Sequence, residues 1–328
     1  MKAIVSLDYE MFLGTETGSV NKCLIEPLGR LLKISDKYNF KYTIFVDATY
    51  LFKLKEEKSK NEILKQDYEN ICKNIQFLNN QGHCLQLHIH PHWYYSVFDG
   101  AKWIQDTEHY KLSDIDIESA NYIFNQSKLL LEKIIDEKII AYRAGGFSTQ
   151  PTSILKTLLF NNEIKIDSSV YRGSIYHSKQ QDYDYSNAPN KGCYYFDEDI
   201  CCENKDGQFL EVPLFTFEVS PYFYWKLALT KILNNKKHQI LGDGNSIETT
   251  KESIKERLTK KSNMFATIDG YKSSILNNAY TIAKKKNISV FNVIGHPKLQ
   301  TPYSLDKFEK FCASLKDIEF ITITELLK

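Results

Sequence analysis

The stretch CLQLHIHPHW at residues 84–93 is the most informative part of this sequence. It begins as a short apolar run typical of a buried β-strand and ends in three histidines, His88, His90 and His92, around a proline. In parallel α/β folds the polar residues of the active site gather at the carboxyl ends of the strands. We therefore expect this segment to be one strand of a parallel sheet, with its histidines at the functional edge.

Similar runs recur along the whole chain and alternate with helix-like stretches. The runs of β type cover residues 3–7, 42–46, 84–88, 139–142, 164–166, 209–212, 290–294 and 320–322. Apolar residues at i, i+3 and i+4 predict helices over residues 25–38, 67–81, 117–135, 152–160, 274–285 and 305–315. Repeated strand–helix alternation predicts a parallel sheet. Seven or eight repeats favour a closed α/β barrel, with an open doubly wound sheet as the alternative.

Residues 171–263 break this rhythm and are rich in aromatic side chains, including the run YFYW at residues 222–225. We interpret them as an insertion around one core strand that folds over the barrel. Its aromatic rings could stack on sugars or could simply form the core of a lid. The chain 1–328 is accordingly expected to be a single domain.

The composition limits the classes of function. The 328 residues are 42% apolar and 25% charged, with a formal net charge of +1, so the overall balance gives no sign of a nucleic-acid or membrane-surface footprint. No run of about 18 apolar residues predicts a transmembrane segment. The seven cysteines form no CxxC pair, and the start MKAIVSLDYE lacks the long apolar region of a signal peptide. We expect a reducing, cytoplasmic location.

Charged or titratable residues follow six of the predicted strands. They are Asp8 and Glu10, then Asp47, then the three histidines of the opening stretch, then Arg143, then Asp167, and finally His296. Solvated loops explain any one of these positions, but not all six together. We expect their side chains to meet at one mouth of the barrel.

The histidines and the first two acids predict a metal site. Two histidines that leave a strand can bind one ion as neutral imidazoles, and we favour His88 and His92, with His90 as a supporting or substrate-binding group. A catalytic zinc site of this kind needs a carboxylate as well. Asp8 and Glu10 are two residues apart and can face the same way, so one can bind the ion while the other takes a proton from water.

Two further residues fit the same chemistry. Arg143 precedes the glycine pair at positions 145 and 146, and its positive charge can keep a catalytic carboxylate ionised and oriented. His296 follows the last well-formed apolar run and is the best candidate for a proton donor to a leaving amine. The alternatives without a catalytic role are a surface salt bridge for Arg143 and a packed side chain for His296.

The order of these motifs resembles the polysaccharide deacetylases of the NodB-homology type, carbohydrate esterase family 4, and looks closest to the branch associated with lipopolysaccharide and O-antigen gene clusters. The resemblance runs from Ser6 to Pro297 and implies a distorted (β/α)7 barrel with a divalent ion, usually zinc. It implies that Asp8 acts as the base and His296 as the acid, and that Arg143 orients the base. It also implies that the metal ligands are Glu10, His88 and His92.

The sequence departs from the family pattern in two places. The first motif normally has two adjacent aspartates, whereas Tyr9 separates the two acids here. The motif that combines an aspartate with a tryptophan has no clear counterpart, and Asp167 is the nearest acidic residue. Asp47, Asp167 and His90 are retained as supporting or substrate-binding candidates.

The expected activity is removal of an N-acyl group, N-acetyl in the first instance, from an amino sugar in a polysaccharide or its cytoplasmic precursor. The expected partner is thus a carbohydrate substrate. A deformylase or allantoinase-like amidohydrolase on the same scaffold is the main alternative. A non-catalytic carbohydrate-binding barrel is another. A glycoside hydrolase with Asp8 and Glu10 as its acid pair is disfavoured, because that chemistry needs no metal.

Overall fold

The computed structural model describes residues 1–247, 250–315 and 318–327. Its strands are β1 (Lys2–Tyr9), β2 (Thr43–Asp47), β3 (Cys84–Ile89), β4 (Val97–Phe98), β5 (Trp103–Ile104), β6 (Ala141–Ala144), β7 (Ile166–Asp167), β8 (Ile175–His177), β9 (Asp182–Asp184), β10 (Tyr194–Phe196), β11 (Phe209–Glu211), β12 (Thr216–Val219), β13 (Ser262–Phe265), β14 (Val290–Gly295) and β15 (Glu319–Phe320). Its α-helices are α1 (Glu26–Lys37), α2 (Ala48–Glu57), α3 (Glu62–Asn80), α4 (His92–Tyr95), α5 (Ile117–Ile135), α6 (Thr152–Asn161), α7 (Pro221–Ile232), α8 (Lys251–Thr259), α9 (Leu276–Lys285) and α10 (Pro302–Ser314).

A curled sheet of mostly parallel strands forms the centre of the molecule. The strands lie in the order β10-β11-β7-β6-β3-β2-β1-β14, with β15 also paired to β1. All neighbours in this order are parallel except β10 and β11. Each of the eight predicted β runs corresponds to a strand of this sheet. The prediction of a distorted (β/α)7 barrel is therefore confirmed.

The alternation of side chains along β1 shows how the sequence builds a site at one end of the barrel. Ile4 packs in an apolar cluster with Phe45 and other residues that point into the barrel. Ser6, two residues further, bonds to other polar side chains inside the barrel, and Asp8 follows at the carboxyl end. These three residues share one face because successive side chains of a strand alternate. The barrel interior thus changes from apolar to polar towards one mouth.

The helices cover the outer face of the sheet through amphipathic stripes. In α5, the longest of the predicted helices, the residues at the stripe positions are buried, among them Ile123, Phe124 and Leu131. Asp116 begins this helix by accepting a hydrogen bond from the backbone N–H of Ser119 at 2.9 Å. In the described part of the chain, every helix is too short or too polar to cross a bilayer.

The aromatic-rich segment 171–263, of which residues 248 and 249 lie outside the described part, lies largely outside the barrel. It holds the β8–β9 hairpin, β12 paired to β13, and helices α7 and α8 packed on each other. Its contribution to the barrel is β11, which pairs with β7, together with β10 at the sheet edge.

Candidate active site

Three side chains at the barrel mouth converge on one point. The Nε2 atoms of His88 and His90 lie 3.2 and 2.5 Å from the same oxygen, Oε2 of Glu10. One donor atom from each of these residues lies within 4.8 Å of the other two. Two imidazoles and a carboxylate at this separation are the donor set of a catalytic zinc site with room for water or substrate.

The hydrogen bonds of His88 leave the correct nitrogen available for a metal. Its Nδ1 lies 2.8 Å from the backbone carbonyl of Arg143, which can only accept, so Nδ1 carries the proton and Nε2 faces Glu10. Burial alone would lower the pKa of His88, but the carboxylates of Asp8 and Glu10 outweigh it and raise this pKa to about 9. The same carboxylates would favour a divalent cation, so the donor set fits the ion that the resemblance implies.

The structure brings His90 to this donor set, whereas the sequence favoured His92. The ring of His92 stacks on Tyr110, with centroids 5.2 Å apart, and neither ring nitrogen has a hydrogen-bond partner among the described residues. Burial lowers the pKa of His92 well below its usual value, so the ring is neutral. His92 starts α4 after Pro91, whereas His90 directly follows β3.

Glu10 is held from a second side by a lysine that sequence reasoning did not single out. The Nζ of Lys298 lies 2.9 Å from Oε1 of Glu10 and donates to the carbonyl of Met11 at 2.5 Å. Burial alone would raise the pKa of Glu10, but Lys298 and His90 together hold it well below its usual value. Glu10 is thus a fixed anion, with Oε2 turned to the histidines.

Asp8 has a different environment, which suits a base. One oxygen, Oδ1, accepts from Arg143 at 2.6 Å. The other, Oδ2, lies 4.0 Å from Nε2 of His88 and 3.7 Å from Nε2 of His296. Asp8 therefore presents one oriented oxygen to the space between the two histidines.

Arg143 is fully buried and has a partner for each nitrogen of its guanidinium group. Besides Asp8, it donates to the hydroxyl of Ser6 at 2.9 Å and to the carbonyl and hydroxyl of Ser168 at 2.8 and 2.9 Å. These contacts fix the plane of the guanidinium, which in turn fixes the carboxylate of Asp8. The structure places Arg143 beside Asp8, as the orienting role requires.

Asp167 lies behind this network rather than at the mouth. Its oxygens accept from the N–H and hydroxyl of Ser169 at 2.9 and 3.0 Å. It faces Glu211, whose Oε1 accepts from the N–H of Val170 at 3.0 Å. Burial and the charge of Asp167 raise the pKa of Glu211 well above its usual value, and burial raises the pKa of Asp167. Two buried carboxyl groups in contact share a proton, and Glu211 holds it.

His296 is oriented by an acid that the sequence analysis missed, Asp269. The Nδ1 of His296 lies 2.7 Å from Oδ2 of Asp269, whose Oδ1 accepts from the N–H of His296 at 2.8 Å. Burial alone would lower the pKa of His296, but Asp269 outweighs it and raises this pKa. Nε2 then points to the mouth, 3.7 Å from Oε1 of Glu10. The short apolar run before Asp269 was the signal that could have revealed it.

Asp47 and the glycine turn have structural contacts. Asp47 is buried at the end of β2, where its Oδ1 accepts from the N–H of Tyr50 at 3.3 Å and caps α2. A Cβ at Gly145 would lie 2.6 Å from Nδ1 of His90 and 2.7 Å from the carbonyl of Ile89. Gly145 thus lets its loop approach His90 closely.

The site opens into a cavity of about 830 Å³, large enough for a carbohydrate. Glu10, His296 and Lys298 form part of its lining, and Tyr110, Phe147 and Tyr171 supply aromatic faces.

The fold of this chain is similar to that of several solved structures. A protein from Mycobacterium smegmatis assigned as a polysaccharide deacetylase is 15% identical to this chain and matches it with a TM-score of 0.55 over 99% of this chain and 88% of its own.

The fold is that of the polysaccharide deacetylases. A Pseudomonas aeruginosa protein assigned to the same class matches at a TM-score of 0.50, with 10% identity over 99% of this chain and 89% of its own. PuuE allantoinase matches at 0.51, with 10% identity over 99% and 88%. No family model and no curated protein sequence matches the chain. At these identities the likeness shows the polysaccharide deacetylase fold alone, which is the fold that the resemblance implied.

Proposed function

We propose that the chain is a metal-dependent hydrolase, with residues 1–328 as one catalytic domain, that removes an N-acyl group from an amino sugar of a polysaccharide or its cytoplasmic precursor. The observation that supports this most is the position of Asp8 and His296 on the rim of the Glu10–His88–His90 donor set, with Asp8 Oδ2 and His296 Nε2 only 3.7 Å apart. A base and an acid beside a metal-binding donor set are what amide hydrolysis requires.

Glu10, His88 and His90 would hold a divalent ion, for which zinc is our proposal. When bound, such an ion polarises an amide carbonyl and makes a bound water more acidic. Lys298 keeps Glu10 charged and oriented. His88 is held by its hydrogen bond to the carbonyl of Arg143, so that Nε2 can act as a ligand.

The two remaining side chains divide the proton transfers. Asp8 takes a proton from the attacking water through Oδ2, because Oδ1 is engaged by Arg143. His296 gives a proton to the departing amine through Nε2, because Asp269 holds Nδ1. Protonation makes the amine a better leaving group, and hydrolysis of an amide depends on this more than hydrolysis of an ester does.

The test is release of a short acid from N-acylated sugars, including N-acetylglucosamine oligomers and nucleotide-linked N-acetyl sugars, by metal-loaded protein. We expect release with the natural sequence and a loss of about 10²–10⁴-fold or more in Asp8→Asn, with metal content unchanged. Allantoin serves as the contrasting substrate. Hydrolysis of allantoin without release from any sugar would favour the amidohydrolase, and sugar binding without hydrolysis would favour the non-catalytic barrel.

A further inference from the structure

Helix α7 carries an apolar face that is largely exposed, although Nε1 of Trp225 donates to the carbonyl of Leu258 at 3.1 Å. Phe223 and Tyr224 are buried beneath the helix. On the other side, five large apolar side chains follow a helical spacing with high exposure: Tyr222 (66%), Trp225 (59%), Leu229 (52%), Ile232 (78%) and Leu233 (68%). Single exposed apolar residues are ordinary, but a contiguous group of this kind marks an interaction surface. We refer to these five residues as the α7 face.

Lysines occur on α7 and on the segment that follows it. Lys226 lies over the ring of Tyr222, with Nζ 4.4 Å from the centroid, and Lys231, Lys236 and Lys237 follow along the chain with exposed side chains. Residues 226–261 contain nine lysines and arginines against four acidic residues, whereas the whole chain has 42 against 41. The balanced total charge thus hides a local excess of positive charge.

We propose that the α7 face binds the surface of a membrane that contains anionic lipids. Tryptophan and tyrosine prefer the boundary between headgroups and acyl chains, and leucine and isoleucine insert just below it. Lysines at the edge extend towards anionic headgroups. A helix of 12 residues is about 18 Å long and lies along the surface, because the hydrocarbon core is about 30 Å thick.

The charge pattern favours a membrane over a second copy of the chain. Two copies paired through the α7 face would bring their lysines close together, and like charges facing each other oppose association. An anionic bilayer gives each lysine an opposite charge instead.

Helix α7 also borders the cavity of the proposed reaction site, but through its buried side. Tyr224 of α7 lines that cavity together with Ser253, Glu256 and Arg257 of α8, which packs on α7. The α7 face lies on the other, exposed side of the helix. The membrane contact itself does not depend on the chemistry proposed above.

Sedimentation with vesicles tests the inference. We expect the protein to bind vesicles of phosphatidylcholine mixed with phosphatidylglycerol more strongly than vesicles of phosphatidylcholine alone, and the preference to weaken with added salt. The double variant Ile232→Ser with Leu233→Ser should bind at least about tenfold more weakly, because two exposed apolar side chains no longer insert. Lys236→Gln and Lys237→Gln should each weaken binding to the mixed vesicles by about fivefold.

Phe160→Ser is the matched control, since Phe160 is 66% exposed on α6, outside the α7 face. It should bind as the natural protein does, and circular dichroism should show all variants folded. Equal binding of the Ile232/Leu233 variant and the natural protein would overturn the inference, as would absence of vesicle binding. A concentration-dependent dimer that the same double variant abolishes, without vesicle binding, would assign the α7 face to a second copy.

Discussion

Replacement of Glu211 by glutamine should stabilise the protein near neutral pH, and the gain should grow with pH. Glu211 and Asp167 are fully buried, and burial together with the charge of Asp167 raises the pKa of Glu211 well above its usual value. A glutamine can keep both contacts, because its oxygen can accept from the N–H of Val170 while its amide donates to Asp167.

The size and sign of the effect follow from proton linkage. A carboxyl group whose folded-state pKa is raised holds a proton in the folded state that it loses on unfolding, so the free energy of unfolding falls as pH rises above the unfolded pKa of about 4.3. The slope is about 1.4 kcal/mol per pH unit for one proton. Above pH 4.3 the natural protein therefore loses stability through this carboxyl with that slope until the pH passes the raised folded-state pKa, and Glu211→Gln avoids the loss.

Urea unfolding of both proteins between pH 4.5 and pH 7.5 measures this difference, and contributions of other groups cancel in the subtraction. We expect nearly equal stabilities at the acidic end and a growing advantage for the variant towards neutrality. Asp167→Asn is the contrasting variant and should be destabilising, because both Asp167 oxygens accept hydrogen bonds from Ser169 and an NH₂ group cannot. A stability difference that does not change with pH would refute the shared proton.

Two further substitutions test how the catalytic side chains are held. Asp269→Asn should lower turnover by about 10²–10⁴-fold with little change in metal content, because the carboxylate that orients His296 accepts at both oxygens; unchanged turnover would contradict this role. Gly145→Ala should weaken metal binding, measured by competition with a chelator, because its Cβ would displace His90. Gly29→Ala, where a Cβ meets nothing within 4 Å, should bind metal normally, and an equal effect in both would argue against displacement of His90.

The barrel was predictable because its strands are buried on both faces and therefore appear as short, uninterrupted apolar runs. The same runs located the mouth, since polar residues directly follow them. Strands β4, β5, β8, β9, β12 and β13 were not predicted. They form two-stranded pairs outside the barrel, and each is only two to four residues long, with exposed positions such as Val97 and Ile175. Their sequences therefore lack the apolar signal.

The choice between His90 and His92 depended on where the strand ends. The strand β3 extends to Ile89, so His88 and His90 leave it on the same side. Pro91 then begins a turn into α4, and His92 falls on the helix. The spacing of the histidines alone could not show whether His90 or His92 is the second metal ligand beside His88.

Asp269 and Lys298 could not be found from periodicity. Asp269 follows a segment that contacts β14 through a single isolated bridge, between Thr267 and Ile294, so it has no strand pattern of its own. Lys298 is buried and reaches Glu10 across the barrel mouth, a contact between residues 288 positions apart. Both pairings arise from the closure of the barrel, and the short apolar run at residues 264–268 is the one local signal that points to Asp269.

The central claim is that Glu10, His88 and His90 form a metal site, and metal analysis of three purified proteins tests it most directly. We expect about one divalent ion per chain in the natural protein and in His92→Ala. We expect the ion to be lost in His90→Ala, because among the described residues His90 is the one that shares the Glu10 oxygen with His88. Retention of the ion in His90→Ala together with its loss in His92→Ala would contradict the site described here.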